Sequence, residues 1–366
     1  MTILGRLTIV PVCNRLRPLH GPFVCSEDRG LKIDVILDAR QSAAELAELG
    51  QLAESAGIRG VWVSSLLDSR DPFTNLSVLA TRTERLLLGA IAVNPFDIHP
   101  VRIAAALMTL NELADGRARI VIGGGGEALA AVGIEPKRRV RAVAECVDIV
   151  KAAATGEDVD YRGELYQVNH LRFGWVRSSP PPVFVGASME QMLRMAARVA
   201  DGSMMSDMPV PLAAAAIETL DRALQQHDKQ RTEFQTNAFA AWHIYEDPDQ
   251  AVREARQWLV LRGIFRPWVL SEFLDQDAVD LAMRSADAFW TAFRSGSHVV
   301  DGVPDGILDA MVRNLAFAGG SDDLDEQIEK LKRFEAAGLD AMALRLYADP
   351  AESIKLIGER IVPALA

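Results

Sequence analysis

Short apolar runs alternate with amphipathic stretches along most of this chain. LKIDVIL (31–37) has strand length, and SAAELAELGQLAESAG (42–57) spaces its apolar residues as a helix does and closes on Gly57. The pair recurs in RGVWVSS and PFTNLSVLATRTERL, in LLLGAIAVNP and PVRIAAALMTLNELA, and in RARIVIGGGG and RRVRAVAECVDIVKAAATG. A polar stretch, 157–180, then predicts a small hairpin. Alternation resumes with PVFVGA and MEQMLRMAARVA, DGSMMSD and PLAAAAIETLDRALQQ, TNAFAAWHIY and DQAVREARQWLVLR, and lastly DAMALRL and SIKLIGERIVPAL. Strands joined through helices run parallel with right-handed crossovers. Eight such units predict an α/β fold, a (β/α)8 TIM barrel, because open doubly wound sheets rarely run so long.

On this reading residues 1–30 form an irregular N-terminal segment and 31–366 one barrel domain. Between units seven and eight lies an insertion, 264–317, rich in Phe265, Trp268, Phe273, Phe289, Trp290 and Phe293. QDAVDLAMRSADAFWTAF within it has helical spacing, so extra helices are expected on the C-terminal face, where barrel active sites are built. They either bury their own aromatics or form a substrate lid.

Composition narrows the partners. Fifty acids against 39 bases give a net charge of −11, a field that attracts neither nucleic acid nor an anionic membrane. A small-molecule substrate is expected instead. Cys13, Cys25 and Cys146 are too few and scattered for a disulfide framework or a C-x-x-C site, which suits a cytoplasmic protein with no metal. MTILGRLTIVPVC is interrupted by Arg6 and Pro11 and reads as a mature segment. No apolar run approaches the roughly 20 residues of a membrane span.

The sharpest local feature is Ile120-Val121-Ile122 stopping on four glycines, Gly123, Gly124, Gly125 and Gly126. Glycine costs about 0.5–1 kcal/mol relative to alanine in regular structure, so the run answers a demand for tight turning or for close approach by a ligand. Bare N–H groups at a strand end cradle phosphate. Gly123, Gly125 and Ala128 fit G-x-G-x-x-G/A, but Gly133 and Pro136 follow at once and the next strand begins only near 181, which disfavours a dinucleotide fold. Motifs of serine hydrolases, zinc proteases and phosphate-loop NTPases are missing.

NPFDIHPVRIAAALMTLNELADGRARIVIGGGG (94–126), VWVSSLLDSRDPF, FVGASMEQMLRMAARVADG and AGGSDDLDEQIEKLKRFEAAGLDAMAL together resemble the bacterial-luciferase-like flavin and deazaflavin oxidoreductases. The pairing of N-P-F-x-x-H-P with S-R-D-P is closest to the branch that includes methylenetetrahydromethanopterin reductase, which uses the deazaflavin coenzyme F420. The resemblance implies hydride transfer between F420 and a small organic substrate. It implies a non-proline cis peptide within 89–93 behind the deazaflavin ring, with Ile91, Ala92 and Asn94 among the cofactor-binding residues. It also implies that Gly123 to Gly126 lie against the cofactor's side chain and that Gly186, Ala187 and Ser188 hold its phosphate.

The chain departs from that pattern where protons are handled. Ser65 and Leu66 stand where the reductases carry Asp-His, and Ile36 replaces an acid, so an apolar substrate pocket is expected, with Leu66, Trp268 and Arg345 touching the substrate. His243, on strand seven, and Glu127, next to the glycines, are the candidate catalytic groups. His99, before Pro100, reads as a cap, and Tyr347 joins Arg345 at the end of strand eight. Luciferase-like FMN enzymes often place an arginine after strand four, and its apparent lack here favours F420. An FMN-dependent monooxygenase and a non-catalytic flavin-binding barrel are the alternatives. A homodimer packed through Leu76, Leu79, Ala105 and Met108 is expected from the resemblance.

Overall fold

The computed structural model describes residues 30–262 and 264–366. The N-terminal segment predicted to be irregular lies outside the described residues except for Gly30. In chain order the strands are β1 (Lys32–Leu37), β2 (Gly60–Ser64), β3 (Leu87–Val93), β4 (Ala118–Ile122), β5 (Asp158–Arg162), β6 (Gln167–Arg172), β7 (Val183–Gly186), β8 (Gly202–Ser206), β9 (Gln235–Tyr245), β10 (Ala316–Gly320) and β11 (Ala341–Arg345). β1, β2, β3, β4, β7, β8, β9 and β11 pair in parallel, and the β8–β9 ladder closes them into the predicted barrel. β5 and β6 are the expected hairpin, antiparallel and outside the barrel. Buried Glu145 anchors it by accepting from the backbone N–H groups of Glu164, Leu165 and Tyr166.

Helices α1 (Ala43–Ser55), α2 (Pro72–Arg82), α3 (Pro100–Leu113), α4 (Arg139–Ala154), α5 (Glu190–Val199) and α6 (Val210–Gln226) follow the first six barrel strands. Their starts are written in the sequence. Ser42 and Glu45 exchange bonds in a capping box, Asp71 caps α2, and His99 caps α3 by accepting from Val101 N at 3.3 Å. Val35, Val61, Leu88, Ile120 and Val185 face the helices, while the alternate residues Ile36, Trp62, Ile91, Val121, Phe184 and Met204 fill the barrel.

The lower end of the barrel is plugged by charge. Asp34 is 1% exposed and accepts from Arg59 (2.9 and 2.7 Å) and from Trp62 Nε1 (3.0 Å), while Arg119 Nη1 pairs with it at 2.9 Å. Burial pushes the Asp34 carboxyl up, but Arg119 and Arg59 outweigh it and hold the group at about 2. The Arg119 guanidinium lies 4.0 Å over the Trp62 ring, whose negative face meets it where no further acceptor is available. Room for these side chains comes from Gly60 and Gly89, where a Cβ would run into Arg119 and Trp62.

Two expectations are corrected. The helix of the seventh unit is not DQAVREARQWLVLR, now α7 (Pro248–Trp258); that helix lies over the upper parts of β9 and β10. The helix beside α6 that leads into β11 is α12 (Leu324–Ala336), and α13 (Pro350–Leu356) follows β11. Between α7 and α12 run α8 (Pro267–Leu270), α9 (Gln276–Arg284), α10 (Ala286–Ser295), α11 (Asp305–Leu315) and the unforeseen strand β10, which pairs with β9 beyond the end of β8. The second correction concerns the proposed dimer face. Leu76, Leu79 and Met108 are buried against the barrel of the single chain, so of the four positions only half-buried Ala105 has any apolar surface to spare.

Removing one member of a buried pair strands the other, at a typical cost of about 3–5 kcal/mol. Asp34→Asn is therefore expected to lower the unfolding free energy by about that amount, measured by urea denaturation. Adding Arg119→Met should return part of the loss, since the stranded charge goes with it.

Candidate active site

The upper rim of the barrel is made by the residues that follow each strand. Along β3 the ladder to β4 slips between Ala90 and Val93, and the Ile91–Ala92 peptide is cis, within the segment the family resemblance indicated. Ala92 is exposed between two buried neighbours, Ile91 and Val93. Beside it, Gly123 donates to Val93 O at 2.8 Å, and a Cβ on Gly123 would sit 3.1 Å from the Ala92 methyl. A Cβ on Gly186 would in turn lie 3.6 Å from Gly123 Cα. Ala92, Gly123 and Gly186 are thus packed edge to edge, Ala92 exposed, Gly186 half-buried and Gly123 buried, with no side chain larger than a methyl group among the three. Gly125 has φ +72° and answers the turn itself, while a Cβ on Gly126 would meet nothing within 4 Å.

This surface leads to the start of α5. Ala187 is buried, Ser188 half-buried, and the helix opens at Met189 with no side chain capping it, which leaves its first N–H groups for an anion. Arg139, at the start of α4, reaches the same place: its Cβ and Cδ lie 3.6 Å from where a Cβ of Gly124 would be. Its neighbours Arg138 and Arg141 both pair with Glu164, whereas the Arg139 side chain has no hydrogen bond or ion pair among the described residues. The expectation that no arginine follows strand four is therefore not met; RRVR carried the signal.

The opposite side of the rim is polar. Arg345 Nη1 donates to Ser64 Oγ at 2.7 Å, next to Ser65, whose N–H donates to Ile91 O at 2.7 Å. Two residues on, Tyr347 stacks on His243 with ring centroids 4.5 Å apart and 19° between planes. His243 is fully buried, and its Nδ1 lies 2.7 Å from Glu254 Oε2 on α7, which also accepts from Tyr245. His243 Nε2, Tyr347 Oη and Arg345 Nε are buried without a partner among the described residues. Burial lowers the His243 pKa against the opposing pull of Glu254, so the ring is neutral near pH 7. Glu254 lies below the ordinary carboxylate range, because the bonds from His243 and Tyr245 outweigh burial. Glu254, Trp258 and Tyr347 also line a cavity of about 280 Å³ with Asp38 and Gln41.

The remaining predicted residues are dispersed. Asn94 is engaged in the turn after β3, accepting from Phe96 N (3.0 Å) and Asp97 N (3.3 Å). Glu127 opens a short 3-10 turn, and its side chain lies outside the described residues. Leu66 is 38% exposed on the loop after β2, and Ile36 is sealed inside the barrel, so neither builds an apolar wall of the predicted kind. Trp268 packs where the core of the insertion meets that of the barrel, and Phe265, Phe289, Trp290 and Phe293 pack in the insertion's own core. Glu254, Trp258, Arg262 and Asp207 were missed. Arg262 pairs with Asp207 at 3.2 Å, both buried, and no motif brings α7 or the end of β8 to this rim.

The sequence profile of the luciferase-like monooxygenases matches residues 30–341. The 5,10-methylenetetrahydromethanopterin reductase of Archaeoglobus fulgidus is 31% identical over 328 residues, which span 88% of this chain and 96% of that protein. The F420-dependent glucose-6-phosphate dehydrogenase of Nakamurella multipartita is 26% identical, over 88% of this chain and 92% of its own. Among solved structures, the coenzyme F420-dependent tetrahydromethanopterin reductase of Methanopyrus kandleri superposes with a TM-score of 0.80 at 19% identity, covering 92% of this chain and all of that one.

The depressed His243 pKa has a sign that can be measured. Its contribution to stability is complete above the ordinary imidazole value and is lost as the pH falls towards the lower folded value. Between about pH 7 and about pH 5 the urea midpoint of the native protein should therefore fall further than that of His243→Gln, and parallel slopes would rule the effect out.

Proposed function

Since this chain belongs to the luciferase-like monooxygenase family, we propose that it is an F420-dependent oxidoreductase acting on a small organic substrate. The observation that carries this reading is the close-set row of Ala92, Gly123 and Gly186, with no side chain larger than a methyl group, which leads to the uncapped start of α5. A flat ring system fits such a surface, and a phosphate on its tail fits the free N–H groups beyond, with the Ser188 hydroxyl and the unpaired Arg139 beside them. Bound there, the deazaflavin would supply the hydride acceptor or donor. Ile91 and Ala92 would support the ring, Gly123 to Gly126 would lie along the tail, and Gly186 to Ser188 would hold the phosphate.

The protein's own groups divide the remaining work. Arg345, steadied by Ser64, orients the substrate, and His243, neutral and buried, takes up a proton at Nε2. Arg345 and Tyr347 each present a buried donor to the same region, so the substrate bears at least one hydrogen-bonding group and is not wholly apolar. Leu66 and Trp268 lie further out and contribute shape at most.

One observation favours a second reading. Arg139 stands near the place where FMN enzymes of this family meet the phosphate, so an FMN-dependent monooxygenase is the alternative. Titrating the purified protein with F420 and with FMN separates the two. F420 is expected to bind more tightly, and stoichiometric FMN that F420 cannot displace would overturn the proposal. Ser188→Glu should weaken cofactor binding about 100-fold or more, because it sets a second negative charge at the helix start, with the unfolding midpoint unchanged.

A further inference from the structure

His243 has only two ring nitrogens, and one of them is already committed. Glu254 Oε2 lies 2.7 Å from Nδ1 and accepts from Tyr245 as well. An ionised carboxylate only accepts, so the proton of a neutral imidazole bonded to it must sit on Nδ1. The other nitrogen, Nε2, is then a lone pair. It is buried, has no partner among the described residues, and belongs to a ring pinned face to face against Tyr347. A buried acceptor without a donor is costly, and a donor on a bound ligand would satisfy it.

We propose that Glu254 is a positioning residue: supplied by α7, it fixes His243 with its proton on Nδ1 and keeps Nε2 bare for the substrate. The inference rests on the reading of His243 as the group that handles the proton. It gives α7 a chemical task, and Arg256 ties that helix to α11 of the insertion, reaching Asp305 at 2.9 Å and Asp309 at 2.7 Å. The other ionisable groups around the ring are Tyr245 on its own strand, Arg345 at the end of β11 and Tyr347 after it, and Arg262 after α7, whose charge is countered by Asp207 after β8. Of these, only Glu254 hydrogen-bonds to the imidazole.

Nitrogen-15 spectra of the cofactor-free protein, labelled at histidine and assigned with His243→Gln, test this directly. The native protein should show His243 as a single Nδ1–H tautomer near pH 7. Glu254→Gln should keep that tautomer, because its amide carbonyl still accepts, but the ring should protonate only at lower pH. Glu254→Leu should mix the two tautomers and, in turnover with F420, lower kcat about 100-fold with KM changed less than about threefold, the size expected when a positioned proton carrier is misaligned. An Nε2–H form in the native protein, an unaltered tautomer in Glu254→Leu, or a mixed tautomer with undiminished kcat would each overturn the inference. If Glu254→Leu fails to fold, the native spectrum and the Glu254→Gln titration still decide it. The spectra need no cofactor, so failure of F420 to bind would count against the proposed function and leave this result standing.

Discussion

Everything at the upper rim depends on how the barrel is filled below it. Eight parallel strands enclose a space that must be packed, and here the packing includes a charge: Arg119, held by Asp34 and covered by Trp62. Because both ions are withdrawn from water, neither is tolerable without the other. Their bulk also fixes which strands can be slim at that level, so that Gly60 and Gly89 face Arg119 and Trp62. With the lower half closed by these groups and the middle by Ile36, Val121, Phe184 and Met204, open space is left only at the strand ends.

The rim built on this base has two unlike sides. Across β3, β4 and β7 the backbone is bare, and flatness is the property it offers. Across β9 and β11 side chains crowd together, and several of their polar atoms lack partners. A protein that gained nothing at this rim would have no reason to bury Tyr347 Oη and His243 Nε2 unpaired, for burying an unsatisfied polar atom is costly. The contrast between the two sides underlies the proposal that one receives a flat cofactor and the other grips the reacting molecule.

The insertion joins these features. Its aromatic residues resemble a lid when read along the chain, yet Phe265, Phe289, Trp290 and Phe293 pack with one another because helices in an excursion need a core of their own. What the insertion and the segment from α7 that leads into it present to the barrel is polar instead. Arg262 bonds to Asp207, Arg266 donates to the carbonyl oxygens of Ser206 and Asp207, and Glu254 reaches His243. These contacts latch it onto the ends of β8 and β9.

The chain by itself determined the elements and their order, because period-2 and period-3.6 apolar patterns, caps such as Ser42 and Asp71, and the glycine run are local properties. The family resemblance, not any local pattern, indicated a cis peptide within 89–93 and the part played by Gly186, and the structure set the bond at Ile91–Ala92. The tertiary structure decided the rest. Which helix completes the seventh unit turned on packing against α6, a contact more than 100 residues from its partner in the chain and therefore invisible to periodicity. The polar side of the rim was likewise beyond reach: Ser64, His243, Glu254 and Arg345 come from β2, β9, α7 and β11, and only closure of the barrel brings them together, where burial and one another's charge give each its chemistry.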